Sequence, residues 1–257
     1  MSRDPFYLDR GGGRYVATIS TRGPWSPVHQ HGGPVLALLG QCIEAAAGDE
    51  CTVARIVAEL LRPVPIAELD ASVSVERDGR TARTFTAALH ADGKLVARAR
   101  GLALGHAALE VARGEPTPFP APEDCSALVL PIFLEPVGYH TAMELRVAAG
   151  EYGSGHLAAW MRSRVALIDE RPLSALGRVL VAADSGNGLS ARLDAREFTY
   201  PNPEVAVFLQ RYPRQEWVLV DARTSLEPTG VGLAEARYWD ADGVIGVGAQ
   251  PLVVRAR

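Results

Sequence analysis

Apolar positions along the chain follow two periods, and the pair of periods occurs twice in the same order. Residues 34–47, Pro-Val-Leu-Ala-Leu-Leu-Gly-Gln-Cys-Ile-Glu-Ala-Ala-Ala, space their apolar side chains as a helix does. Gly33 suits the cap and Pro34 the first turn, so the start of this helix is well marked. Partly alternating runs at 52–61, 71–76, 81–89 and 95–104 read as strands, with Asp78-Gly79 and Asp92-Gly93 as tight-turn signals between them. A second helical pattern covers 174–184. Strands are expected after it at 204–210, 217–226, 233–239 and 244–254, with Asp242-Gly243 at the last hairpin. In Ala71-Ser-Val-Ser-Val-Glu76 one face is apolar and the other polar, as in an antiparallel sheet covered on one side.

Between the two series lies 115–123, Glu-Pro-Thr-Pro-Phe-Pro-Ala-Pro-Glu, with proline at every second position from Pro116 to Pro122. Such a segment favours extended backbone and reads as a linker between 1–114 and 124–257. Arg62 precedes Asp92 by thirty residues, and Arg211 precedes Asp242 by thirty-one. One helix followed by an antiparallel meander, repeated once, predicts a duplicated α+β unit.

Composition narrows the function. At 257 residues the chain can bury a core without metal or disulfide staples, and 47 % apolar with 22 % charged residues is ordinary globular usage. Thirty acidic residues against twenty-six basic ones give −4, which argues against a duplex nucleic-acid binder. Lys94 is the only lysine, a compositional bias without functional content. No apolar run reaches the length of a membrane span, and the N-terminal residues lack the apolar core of a secretory signal. Cys42, Cys51 and Cys125 form no CxxC pair and read as buried thiols in a reducing, cytoplasmic setting.

Three places could carry chemistry. His31-Gly32-Gly33 stands directly before the first helix, where unpaired amides carry partial positive charge and could stabilise an oxyanion. The same residues could simply be a glycine turn. Asp184 follows Leu180 by four residues and shares the core-facing side of the second helix, where a partly desolvated carboxylate is a stronger base. It could equally be a helix-terminal Asp pointing to water. Gln250 interrupts the apolar strand 244–254, where its amide could orient a water or a carboxylate, or make a structural cross-strand bond. Asn202, between Pro201 and Pro203, suits a turn. There is no Gly-x-Ser-x-Gly elbow and no phosphate-binding Gly-x-x-x-x-Gly-Lys loop. His29 and His31 lack further ligands, so no metal is expected. Trp25, Trp160, Trp217 and Trp239 read as core or pocket wall.

His31-Gly-Gly-Pro-Val-Leu-Ala-Leu-Leu resembles the His-Gly-Gly-Val-Leu segment that opens the central helix of hotdog-fold thioesterases. In that family an Asp stands seven positions after the second glycine, where this chain has Gly40. Val179-Leu-Val-Ala-Ala-Asp184 resembles the acid-bearing part of the same helix and has no Gly-Gly before it. Each half keeps what the other lacks, as in the double-hotdog acyl-CoA thioesterases of the bacterial type II kind. Glu59-Leu-Leu-Arg-Pro63 and Glu216-Trp217 are similar to that family as well.

The resemblance implies a tandem hotdog, two antiparallel sheets each wrapped around a central helix. It implies an acyl-thioester hydrolase acting on acyl-CoA or an acyl carrier, without cofactor, with such chains able to associate as homo-oligomers. Asp184 and Gln250 fall on two of the family's three water-holding positions, and Asn202 falls near the third, a hydroxyl in the family. Asp184 would be the general base, with Asn202 and Gln250 placing the water and Gly32 and Gly33 amides holding the oxyanion. The acyl chain would lie between the helices, against Leu36, Leu39 and Leu180. The opposite cleft would have Gly40 in place of the acid and Arg100 in place of Gln250. Two other readings remain, a non-catalytic acyl-thioester binder and a hotdog hydratase or dehydratase using His140 or His156.

Overall fold

The computed structural model describes residues 4–112 and 114–257; Met1–Arg3 and Arg113 lie outside it. Strands β1 (Tyr7–Gly11) and β2 (Arg14–Ala17) come first. Helix α1 (Gly32–Ala47) follows, then β3 (Cys51–Leu60), β4 (Glu68–Asp78), β5 (Ala82–Ala91) and β6 (Lys94–Gly105). The second half opens with β7 (Ser126–Ala127), α2 (Tyr139–Ala142), β8 (Met143–Glu151) and β9 (His156–Ser163). It continues with α3 (Ala175–Ala183), α4 (Gly186–Leu189), β10 (Phe198–Thr199), β11 (Glu204–Leu209), β12 (Val218–Leu226), β13 (Val231–Asp240), β14 (Gly243–Val253) and β15 (Arg255–Ala256). The eight expected strands and both helices are present. The strands ahead of each helix, β1–β2 and β8–β9, gave no clear alternation and were not anticipated.

Each half builds an antiparallel sheet around one helix, and β3 pairs with β11 so that the two run together as thirteen strands. This is the double-hotdog arrangement, with the sheets joined edge to edge. The joint has its own symmetry, because Glu59↔Glu204 and Arg55↔Phe208 flank the central pair Val57↔Ala206. Val35 to Leu39 are all fully buried, as befits a helix apolar all round and enclosed by sheet and partner helix.

The helices run antiparallel in close contact. A Cβ at Gly33 would fall against the Val181 carbonyl, and one at Gly40 would collide with Leu180. Leu36, Leu39 and Leu180 are fully buried and do not line the ≈ 520 Å³ cavity beside α1, so the acyl path expected against them is not the one this cavity offers. Within the proline-rich segment, the Trp160 indole N–H donates to the Pro120 carbonyl at 2.8 Å and Phe119 packs edge-on to Trp239.

The repeat register differs by one residue from the count between Asp-Gly pairs. Asp92 and Gly93, at φ 48° and 70°, form the two-residue turn between Ala91 and Lys94, as a primed hairpin turn requires. In the second half Asp240 pairs with Gly243, so Ala241-Asp242 is the turn and Gly243 opens the strand. Gly243 therefore corresponds to Lys94, and Gly101 takes the place of Gln250. Arg100 instead lies exposed beside Glu76 at 3.5 Å.

Candidate active site

The start of α1 accounts for its free amides almost completely. The His31 N–H donates to the Thr21 carbonyl at 2.7 Å, and the Gly33 N–H donates to His31 Nδ1 at 3.0 Å. Pro34 has no N–H. Among the described residues the Gly32 amide alone of this first turn has no acceptor, and Gly32 lines a cavity of ≈ 520 Å³. A Cβ at Gly32 would stand 2.7 Å from Asp184 Oδ2, so only glycine lets the helix start lie against that carboxylate.

Asp184 ends α3 as its cap residue and is 4 % exposed, its carboxylate facing the same cavity. The main chain turns at Asp184 and Ser185 before the short α4 begins, which frees the side chain from the helical row. Oδ1 accepts from Asn202 Nδ2 at 2.7 Å, and Oδ2 lies 3.0 Å from His31 Nδ1. That ring nitrogen can cap Gly33 with its lone pair or donate a proton to Asp184, but not both at once. The His31 ring is clamped flat on Tyr139, centroids 3.8 Å apart and planes within 3°. The Tyr139 hydroxyl donates to the Val181 carbonyl at 2.8 Å and accepts from Ser185 Oγ at 2.8 Å. Burial drives the Tyr139 pKa far above its ordinary value, so it stays a neutral donor.

Asn202 thus meets Asp184 directly, where a bare turn role had been one reading. Gln250 is brought to the same corner but does not line the cavity. Its Oε1 accepts from the Asn187 N–H at 3.0 Å, and its Nε2 donates to the Ala183 carbonyl at 2.7 Å. The Asn187 side chain donates to the Tyr200 carbonyl at 3.1 Å and reaches Asn202 Oδ1 at 3.5 Å. Asn187, Ser185 and Tyr139 were missed. Asn187 and Ser185 had a signal, being polar residues directly after an apolar helix, whereas Tyr139 sits in a segment without a pattern.

The cavity wall is largely apolar, from Trp25, Val35, Leu60, Leu130, Ile132 and Phe133. His156 is instead paired with Asp221 at 2.8 Å on the sheet. His140 stacks on Phe133 away from the lining, its pKa lowered by burial and by the Arg22 charge. The histidine–acid pair that a hydratase would need is formed by His31 and Asp184, neither of the histidines considered for it. No group of three or more His, Cys, Asp or Glu among the described residues is placed to hold a metal.

The related cleft across the pseudo-twofold is filled. Gly40 stands where Asp184 does and Leu176 where Gly32 does, with Leu176 Cδ2 3.9 Å from a Cβ built on Gly40 and Leu180 occupying the gap.

A polar corner at the mouth of an apolar cavity, inside a double hotdog, defines the class: a hotdog-fold hydrolase of acyl thioesters. Residues 21–104 match the family described as acyl-CoA thioesterase N-terminal domain, and 113–254 match the acyl-CoA thioesterase C-terminal domain. The chain belongs to the acyl-CoA thioesterase family and is a thioester hydrolase.

Solved structures share the fold over the full length. A protein of Novosphingobium aromaticivorans assigned as a thioesterase is 24 % identical, with TM-score 0.75 and coverage of 98 % of this chain and 99 % of that one. A protein with hot dog fold from Alicyclobacillus acidocaldarius is 17 % identical, with TM-score 0.77 and coverage of 99 % and 97 %. The acyl-CoA thioesterase II TesB2 of Mycobacterium marinum is 15 % identical, with TM-score 0.71 and coverage of 98 % and 95 %. No curated protein matches the sequence. No helix among the described residues is long and apolar enough to cross a membrane.

Proposed function

We propose that the chain hydrolyses an acyl-CoA at a single site assembled from both halves, with Asp184 as general base. The observation that carries this is the contact of Gly32 with the Asp184 carboxylate, which puts a free helix amide and a base on one side of one cavity. Water attacks the thioester carbonyl carbon as Asp184 takes its proton. The carbonyl oxygen becomes an oxyanion held by the Gly32 N–H at the positive end of α1. The C–S bond then breaks, and the thiolate leaves with the proton from Asp184. Asn202 orients the carboxylate through Oδ1, and Gln250 braces the α3–α4 corner that presents it.

His31 ties the two halves of the reaction together. When its Nδ1 carries a proton toward Asp184, the Gly33 N–H loses its acceptor and becomes a second oxyanion donor. The same reading takes 1–114 and 124–257 as the two hotdog units and 115–123 as their linker, with the acyl group in the ≈ 520 Å³ cavity.

The test is Asp184→Asn, which keeps the shape and removes the base. Thiol release from an acyl-CoA should fall by roughly two to four orders of magnitude with thermal stability retained. Wild-type turnover in a folded Asp184→Asn enzyme would sink the assignment.

A further inference from the structure

A second cavity, ≈ 640 Å³, adjoins the first and shares Pro24 and Ile132 with it. Its chemistry is different. Three guanidinium groups, from Arg192, Arg196 and Arg257, line it, and none of the three forms an ion pair among the described residues. The single carboxylate in the lining, Asp194, accepts the Arg196 backbone N–H at 2.8 Å and so fixes its own loop.

Two of the three arginines are held in place. Arg257 Nε donates to the Ala195 carbonyl at 2.8 Å. The aliphatic stem of Arg192 lies on Gly155, where a Cβ would come within 2.8 Å of its Cδ and φ is +88°. Between the cavities stands Tyr200. It lines the first cavity, and its buried hydroxyl lies beside the hydroxyl of Tyr152, which lines the second.

We propose that this second cavity receives the phosphate-bearing end of the CoA carrier through Arg192, Arg196 and Arg257. The inference rests on the hydrolase reading above. Guanidinium groups match phosphate oxygens two at a time, and three unpaired ones in a chain of net charge −4 form a local field for several negative charges. CoA brings a diphosphate and a 3′-phosphate, whereas the pantetheine arm of a carrier protein brings one phosphodiester. The arrangement therefore favours CoA.

The experiment compares one acyl group on CoA, on pantetheine without phosphate, and on a carrier protein, using wild type, Arg192→Glu and Arg196→Glu. Loss of charge-assisted contacts should raise KM for acyl-CoA roughly ten- to a hundredfold. The ratio of kcat/KM for acyl-CoA over acyl-pantetheine should fall by the same factor. KM of wild type for acyl-CoA should rise with salt, and that dependence should shrink in the variants. Equal losses on acyl-CoA and acyl-pantetheine, or no loss on either, would overturn the proposal. So would a loss confined to the acylated carrier protein. A wild-type enzyme that releases thiol from none of the three substrates would refute the hydrolase reading instead.

Discussion

Gly33→Ala is the substitution whose consequence can be worked furthest. The added methyl meets the Val181 carbonyl oxygen, a main-chain atom of the opposite helix that cannot rotate away. The helices must part locally by about 1 Å to restore ordinary contact. Overpacking of this kind costs about 1–3 kcal/mol, which for a chain of this size lowers Tm by about 2–4 °C per kcal/mol. The effect on rate is larger. Val181 also holds the Tyr139 hydroxyl, Tyr139 clamps His31, and Gly32 beside it touches Asp184. A displacement of about 1 Å between base and oxyanion donor lowers kcat roughly a hundredfold, equivalent to about 2.7 kcal/mol of barrier.

Gly40→Ala supplies the control. Its methyl meets Leu180 Cδ1, the movable end of a side chain, about 10 Å further along α1. Stability should fall, while kcat stays within about threefold of wild type. Steady-state thiol release with calorimetry of both variants decides the matter. Wild-type kcat in Gly33→Ala, or equal kcat losses in the two variants, would refute the reasoning.

Gln250→Ala strips partners from the Asn187 N–H and the Ala183 carbonyl, at about 1–3 kcal/mol each, so Tm and kcat should fall together; a kcat loss at unchanged Tm would contradict a bracing role. Asp240 is fully buried, which alone would raise its pKa, but paired hydrogen bonds from Arg211 outweigh this and hold it below 3.8. Its stabilisation is therefore complete above that value and lost as pH falls through the lower folded pKa. Urea titrations should show Asp240→Asn with a flatter acid limb below about pH 4, and an unchanged slope would count against the pair. Residues 1–114 alone would leave the β3 edge without β11 and should aggregate or self-associate; a monomer with a cooperative melt would refute the two-unit reading.

Much of this was legible because the signals were local. Pro34 after Gly33 marked α1 to within two residues, and Asp92-Gly93 marked its hairpin. Asp184 was legible from its register on Leu180, and the structure places it in the cavity. The failures came from interactions over distance. The closure of the helix seam depends on Gly40 against Leu180, which no spacing within either helix displays. The placement of Arg100 failed because Asp-Gly occupies different positions in the two hairpins, and one residue of slip turns every side chain to the other face. Gln250 was noticed as a polar break in an apolar strand, but its partners lie on α3 and α4, outside any local pattern.

The β3–β11 joint also sets a timetable for the nascent chain. The first half can begin to fold as it leaves the ribosome, but Glu204, the first residue of β11, follows Leu60 by 144 positions. At ordinary synthesis rates the β3 edge then waits roughly 7–30 s for its partner. During that interval its unpaired amides and carbonyls are open to neighbouring chains on the same message. Arg55 and Glu59, the two charged residues of that strand, stand guard at both ends of the waiting edge. A duplicated gene thus spares this molecule the search for a second subunit, and exchanges a problem of concentration for one of timing.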